Sequence, residues 1–143
     1  MRQSKVDGYR ARSAYKLIEI DEKFKIFKGG MCIVDIGAAP GSWSQYVSKV
    51  VKSGKIISLD LKEMEQIKNT IQIKGDFTDI SIQNQIKEYL NKKSDVVMSD
   101  MAASSTGHKQ TDHLKIITMC EAAAYLAFDI LDDGGTFVAK VLA

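Results

Sequence analysis

Between residues 34 and 45 the chain reads VDIGAAPGSWSQ, and the groups in it that could do chemistry are Gly37, Gly41 and the acid just ahead of them, Asp35. Glycines here let the backbone pass close to a ligand, because no Cβ stands in the way. A helix starting behind them would offer unpaired amide N–H groups to an anionic group. Three more acids, Asp60, Asp76 and Asp100, end apolar stretches or directly follow them. Asp60 comes 23 residues after Gly37, the distance at which an acid at the tip of a second strand reaches ribose hydroxyls. The combination suits a nucleotide-like ligand. G-A-A-P-G is not G-x-G-x-x-G and lacks the G-K-[ST] ending of a phosphate-gripping loop, so pyrophosphate is disfavoured. Each feature alone has a plainer reading: a strand-end acid also suits a helix N-cap, and Pro40 also suits a tight corner.

Such groups need a frame, and the hydrophobic periodicity supplies an alternating one. SAYKLIEIDEKFKIF places Leu17, Ile20, Phe24 and Phe27 at helical spacing, stopped by Lys28-Gly29-Gly30. MCIVDI reads as a buried strand before the turn, and Trp43, Tyr46, Val47, Val50 and Val51 as the inner face of a helix ending at Ser53-Gly54. KIISLD, IQIKGDF and SDVVMSD follow as strands, with ISIQNQIKEYL between the last two as a helix turning Ile82, Ile86 and Leu90 inward. After a polar loop, MAASSTGHKQTDH, a helix is predicted from Leu114 to Leu131, cut off by Asp132-Asp133-Gly134-Gly135, with TFVAKVLA as a fifth strand. Strands alternating with helices predict an α/β fold with a parallel sheet covered on both faces. In such sheets ligands sit beyond the carboxyl ends of the strands, where these acids lie.

A length of 143 residues predicts one domain, and 45% hydrophobic with 27% charged residues suits a soluble globular chain without a membrane helix or readable secretory signal. A cytoplasmic location is expected. Cys32 and Cys120 lack metal-type spacing, and His108 and His113 have no cysteine nearby, so neither disulfide nor metal is expected. The overall charge of +2 is uneven: Arg2, Lys5, Arg10, Arg12 and Lys16 outweigh Asp7 within the first 16 residues, leaving that end at +4. This basic arm suits either a polyanion or a solvated end.

Taken in order, R-x-R-S-A-Y-K-L, D-I-G-A-A-P-G-S-W-S-Q, L-D-L, K-G-D-F, V-V-M-S-D-M-A, G-x-x-x-x-D-H and G-G-T-F-V-A-K-V resemble the FtsJ/RrmJ-type ribosomal RNA 2′-O-methyltransferases, from Arg10 to Val141. The resemblance implies a Rossmann-like methyltransferase domain over residues 1–143, with 1–12 as the arm and 13–143 as the core. It implies S-adenosylmethionine as methyl donor and a ribose 2′-hydroxyl of RNA as acceptor, most typically a uridine of the large-subunit 23S rRNA. Gly37, Gly41 and Trp43 would line the donor's turn and methionine end, Asp60 would hold its ribose, Asp76 its adenine, and Asp100 would lie beside the sulfonium. The family's catalytic lysine, aspartate and lysine fall on Lys16, Asp100 and Lys140. Its fourth member, a glutamate, has no counterpart, because family members continue with a helix and two more strands. Arg10 and Arg12, beside Lys16 on the basic arm, are expected to contact RNA phosphates, and a monomer is expected if the chain is full length.

A sulfonium methyl is already activated, so alignment of the ribose oxygen and removal of its proton are what remains. An amine takes a proton only in its neutral form, which a neighbouring cation and partial burial favour. Lys140 is therefore expected at the 2′-hydroxyl, with Asp100 holding the lysines and the sulfonium. Without the resemblance, Lys140 reads as well as an outward lysine on an edge strand, Lys16 as a surface lysine, and Trp43 as core. Two competing functions are a non-catalytic RNA-binding or ribosome-assembly module that keeps the donor pocket, and a dinucleotide oxidoreductase, which the basic arm and the two lysines argue against.

Overall fold

The computed structural model describes residues 8–100 and 109–140, the side chains of 109–113 excepted. Five strands, β1 (Cys32–Ile36), β2 (Lys55–Asp60), β3 (Thr70–Lys74), β4 (Ser94–Asp100) and β5 (Leu131–Lys140), form one sheet in the order β3-β2-β1-β4-β5, every pairing parallel. The chain starts in the middle of the sheet, works outward to β3, then crosses to the other side of β1 for β4. That reversal, between β1 and β4, is where a crevice opens in folds of this type. The expected α/β arrangement is what the chain adopts.

Helices α1 (Ser13–Phe24) and α2 (Ser42–Val51) cover one face, and α3 (Ile80–Leu90) and α4 (Lys109–Ile130) the other. Strand side chains alternate between faces with a period of two. Ile33, Ile56, Val96, Met98 and Val138 accordingly pack with Leu17, Trp43 and Val47 of α1 and α2. Val34, Ile36, Ile57, Leu59 and Val97 pack with Ile82, Ile86, Leu126 and Ile130 of α3 and α4. The same alternation puts Asp35, Asp60, Asp100 and Lys140 in step with the first set, so all four belong to the face that α1 and α2 cover.

Two local readings differ from the periodicity. Phe24 does not join the core and is 64% exposed, because α1 stops beside it: Lys25 turns left-handed at φ 54° and donates its N–H to the Asp21 carbonyl. The buried Asp21 carboxylate then accepts the N–H groups of Ile26 and Phe27 through Oδ1, and Phe27 reaches the core by this turn instead of by helical spacing. At the other end, α4 begins at Lys109 rather than Leu114, and Asp132-Asp133-Gly134-Gly135 is no loop before β5 but an irregularity within it. Ser94 faces Leu131 and Val96 faces Thr136, so the register jumps over those residues, with Gly134 at φ 79°. The loop motif Gly107 to His113 and the last residues of the predicted fifth strand lie outside the described residues or their side chains.

Candidate active site

The glycine turn sits where the switch in strand order predicts, between the end of β1 and the start of α2. Gly37 has φ 71°, and its N–H and that of Ala38 donate to the Leu59 carbonyl at 2.8 and 2.9 Å, which ties the turn to β2. Gly41 is the N-cap of α2 at φ 111°, a backbone that residues with a side chain rarely adopt. A Cβ there would come within 2.7 Å of Ile67 Cδ1 and 3.0 Å of Arg10 Nη1. Glycine is thus required by conformation, and the ends of two side chains close over the space its missing Cβ leaves. Behind it, the first intrahelical bond runs from Gln45 N–H to the Gly41 carbonyl, so the amides of Ser42, Trp43 and Ser44 belong to the open first turn of the helix.

Asp60, at the tip of β2, is buried, and its two oxygens point to different neighbours: Oδ2 accepts the Ala39 N–H at 2.9 Å and Oδ1 the Lys62 N–H at 2.8 Å. It braces the glycine turn with one oxygen and the β2–β3 loop with the other, and lone pairs remain on both. Asp76, beyond the end of β3, is exposed. Its Oδ1 accepts from both the N–H and the hydroxyl of Thr78, and these bonds hold the carboxyl below the usual carboxylate range.

Asp100 ends β4, 7% exposed, and its Oδ1 is buried without a hydrogen-bond partner among the described residues. A buried carboxylate oxygen with no partner is costly unless a donor or a cation meets it. Lys140 lies directly opposite Asp100 on the neighbouring strand. Lys16 belongs to α1, over the same face of the sheet, but its side chain is 61% exposed and its Nζ lies 3.5 Å from Glu19 Oε2. The fold therefore sets Asp100 beside Lys140 and carries Lys16 on the covering helix, and among the described residues no ion pair joins either lysine to Asp100.

Trp43, expected along the donor, is 2% exposed and packs with Leu17, Ile33 and Val47. Its Nε1 donates to the Ser13 carbonyl at 3.0 Å, and Ser13 Oγ and Ser42 Oγ share a hydrogen bond of the same length. The indole thus pins α1 against the start of α2, the packing role left open above. Arg12 is exposed at the N-cap of α1. Arg10, expected on RNA, directs its guanidinium at backbone carbonyls: Nη1 donates to Pro40 and Glu65, each at 2.9 Å, and Nη2 to Gln66 at 3.2 Å.

Sequence reasoning noted Asp35 only as one acid more. It is fully buried beneath the turn, where Ser44 Oγ donates to its Oδ2 at 2.6 Å and Ser44 Oγ shares a second 2.6 Å hydrogen bond with Ser58 Oγ. Burial, opposed by the Ser44 bond and reinforced by the charges of Asp100 and Asp60, raises its pKa to about 7. The period-two alternation could have revealed this: Asp35, Ser58, Asp60 and Asp100 share one face, so three carboxylates must converge under the switch point. Among the described residues no group of His, Cys, Asp and Glu side chains could hold a metal ion, and no helix is long and apolar enough to cross a membrane.

The chain is 57% identical to a ribosomal RNA large subunit methyltransferase E of Pelagibacter ubique over 99% of its own length and 70% of that protein's. It is 50% identical to the protein of the same name from Ruegeria pomeroyi, over all of this chain and 65% of the relative. The chain thus spans about two thirds of the length of these curated relatives. A crystal structure of a Plasmodium falciparum protein described as a ribosomal RNA methyltransferase superposes with a TM-score of 0.81 at 34% identity, covering 93% of this chain and 78% of that one. The model of the FtsJ-like methyltransferase family matches residues 9–143, and on this evidence the chain belongs to that family.

Proposed function

We propose that this chain carries the donor-binding and catalytic core of an S-adenosylmethionine-dependent RNA 2′-O-methyltransferase acting on a ribose of large-subunit rRNA. The observation that carries the proposal is the buried Oδ1 of Asp100, without a partner among the described residues, on the sheet face that also holds Asp60 and Lys140. A carboxylate left this way fits a cationic ligand, and the glycine turn leads into the open first turn of α2, whose amides are available beside it. The residues present therefore suit S-adenosylmethionine, with Gly37 and Gly41 against it, Asp60 toward its ribose hydroxyls, Asp76 toward its adenine and Asp100 toward its positive charge. When bound, this donor supplies a methyl group already activated on sulfur.

What the chain itself must add is alignment and a proton acceptor. Asp100, anchored at the end of a buried strand, fixes the charge geometry, while Lys140 across from it accepts the proton of the 2′-hydroxyl. Lys16, on the overlying helix, contributes positive charge toward the RNA and the second amine. Arg12, exposed next to it, suits a phosphate. The names of the curated relatives support rRNA as acceptor.

The test combines binding with transfer. Calorimetry should detect S-adenosylmethionine but not NAD, and labelled methyl should pass to ribosomal subunits prepared without this modification, at a ribose 2′-oxygen on mapping. Binding of NAD in preference to S-adenosylmethionine would overturn the reading, as would label on a base.

A further inference from the structure

Three segments meet around Gly41, and one side chain joins them all. The arm brings Arg10, whose backbone N–H donates to Gln45 Oε1 at 2.8 Å, while Gln45 Nε2 donates to the Gly8 carbonyl at 3.2 Å, so the described end of the arm, Gly8 to Arg10, is seated on α2. From there the guanidinium reaches the carbonyl of Pro40 in the donor turn and those of Glu65 and Gln66 in the β2–β3 loop. Ile67 of the same loop is buried, and it lies so near Gly41 that a Cβ there would collide with it. The loop itself begins at Asp60, whose carboxylate accepts from both the turn and the loop. Arm, turn and loop are thus joined beside Asp60, and Arg10 is the clasp between them.

A guanidinium presents five N–H groups in a rigid planar fork, which is what three carbonyls from two segments require. An ammonium is a point charge and reproduces a phosphate contact far better than it reproduces a fork. Three of its five N–H groups are committed to carbonyls of the turn and the loop.

We infer that Arg10 is a positioning residue for the methyl donor, holding the turn and the β2–β3 loop in their binding arrangement, rather than a contact to RNA phosphate. This rests on the proposed donor site. Because the clasp belongs to the arm, seating of the arm and occupancy of the donor site favour each other, and such coupling is reciprocal.

Arg10→Ala, Arg10→Lys and Gln45→Ala, each checked for cooperative unfolding, are compared with the unsubstituted 143-residue chain. S-adenosylmethionine affinity is measured by calorimetry, and affinity for an rRNA fragment across a salt series. Both Arg10 variants should bind the donor about tenfold more weakly, since lysine cannot replace the fork, a loss of about 1.4 kcal/mol. The slope of log affinity for RNA against log salt should stay unchanged. Gln45→Ala, which unseats the arm but keeps the guanidinium, should weaken donor binding in the same direction. Normal donor affinity in Arg10→Lys, together with a salt slope lowered by about 0.7 to 0.9 in Arg10→Ala, as for a lost phosphate contact, would overturn the inference. If the unsubstituted chain binds no S-adenosylmethionine, the proposed function fails first and this inference falls with it.

Discussion

Ser44 Oγ, from the first turn of α2, donates a 2.6 Å hydrogen bond to Oδ2 of Asp35 in β1, sealed beneath the glycine turn. That bond favours the ionised acid, yet burial outweighs it and Asp100 and Asp60 add repulsion, leaving the folded-state pKa at about 7 against an ordinary 3.8. The folded chain therefore holds this proton more tightly than the unfolded chain does. Its stabilising effect is complete below about pH 4 and is lost as pH rises through about 7, on the order of 4 kcal/mol in all. Asp35→Asn keeps an acceptor for Ser44 and cannot ionise. Its unfolding temperature should exceed that of the parent by more at pH 8 than at pH 5, measured by thermal denaturation across that range. A constant difference between the two proteins would show that Asp35 does not titrate there.

The same carboxylate should give binding of the proposed donor a pH dependence. A cationic ligand over Asp35, Asp60 and Asp100 favours the ionised form of Asp35, so its affinity should climb as pH rises toward 7 and level off above. S-adenosylhomocysteine, the demethylated product without the sulfonium charge, should show a much flatter profile. Parallel calorimetric series for the two ligands make the comparison, and identical slopes would count against the charge argument.

Gly41→Ala meets two obstacles, a backbone at φ 111° and side-chain atoms at 2.7 and 3.0 Å from the new Cβ. The expected loss of stability is about 1–3 kcal/mol from the backbone alone, and the contacts are relieved when the ends of the Ile67 and Arg10 side chains move aside. Chemical denaturation should show the loss. Donor affinity should fall with it, since Ile67 and Arg10 are the atoms displaced.

Asp60→Ala leaves the N–H groups of Ala39 and Lys62 without their acceptor, at a cost of about 1–3 kcal/mol for each that stays buried. Asp60→Asn can satisfy one of them with its carbonyl but turns N–H toward the other. Stability should rank the parent first, then Asn, then Ala, while donor affinity should drop in both variants.

Lys140→Ala tests the proton acceptor. Turnover should fall by roughly 100- to 10,000-fold, with donor affinity within about twofold of the parent. Unchanged turnover would remove Lys140 from the mechanism.

Much of this arrangement is legible in the chain because one local signal fixes each element. MCIVDI, KIISLD and SDVVMSD have the length and β-branched content of buried strands, and each folds as one, within a residue of its predicted ends. The glycines of G-A-A-P-G announce positive φ, and both adopt it. What stays hidden depends on meetings between segments distant in sequence. Phe24 looks inward by periodicity, but the helix is ended early by a bond network centred on Asp21 that no spacing rule contains. Arg10 looks like a phosphate ligand by charge, and only the fold reveals three carbonyls within its reach, at positions 30 to 56 residues away. Asp35 looks like any strand-end acid until α2 closes over it.

The reversal of strand order at β1 has a consequence for how such a protein can change. The groups proposed to grip the cofactor, Gly37, Gly41, Asp60 and Asp76, lie at or just beyond the ends of β1, β2 and β3, whereas Lys140 rides on β5 at the opposite margin. Asp100, on the strand between, is the hinge post of this division of labour. Substitutions beside β5 should therefore alter transfer while leaving donor affinity nearly as it was, so the two tasks can be varied one at a time.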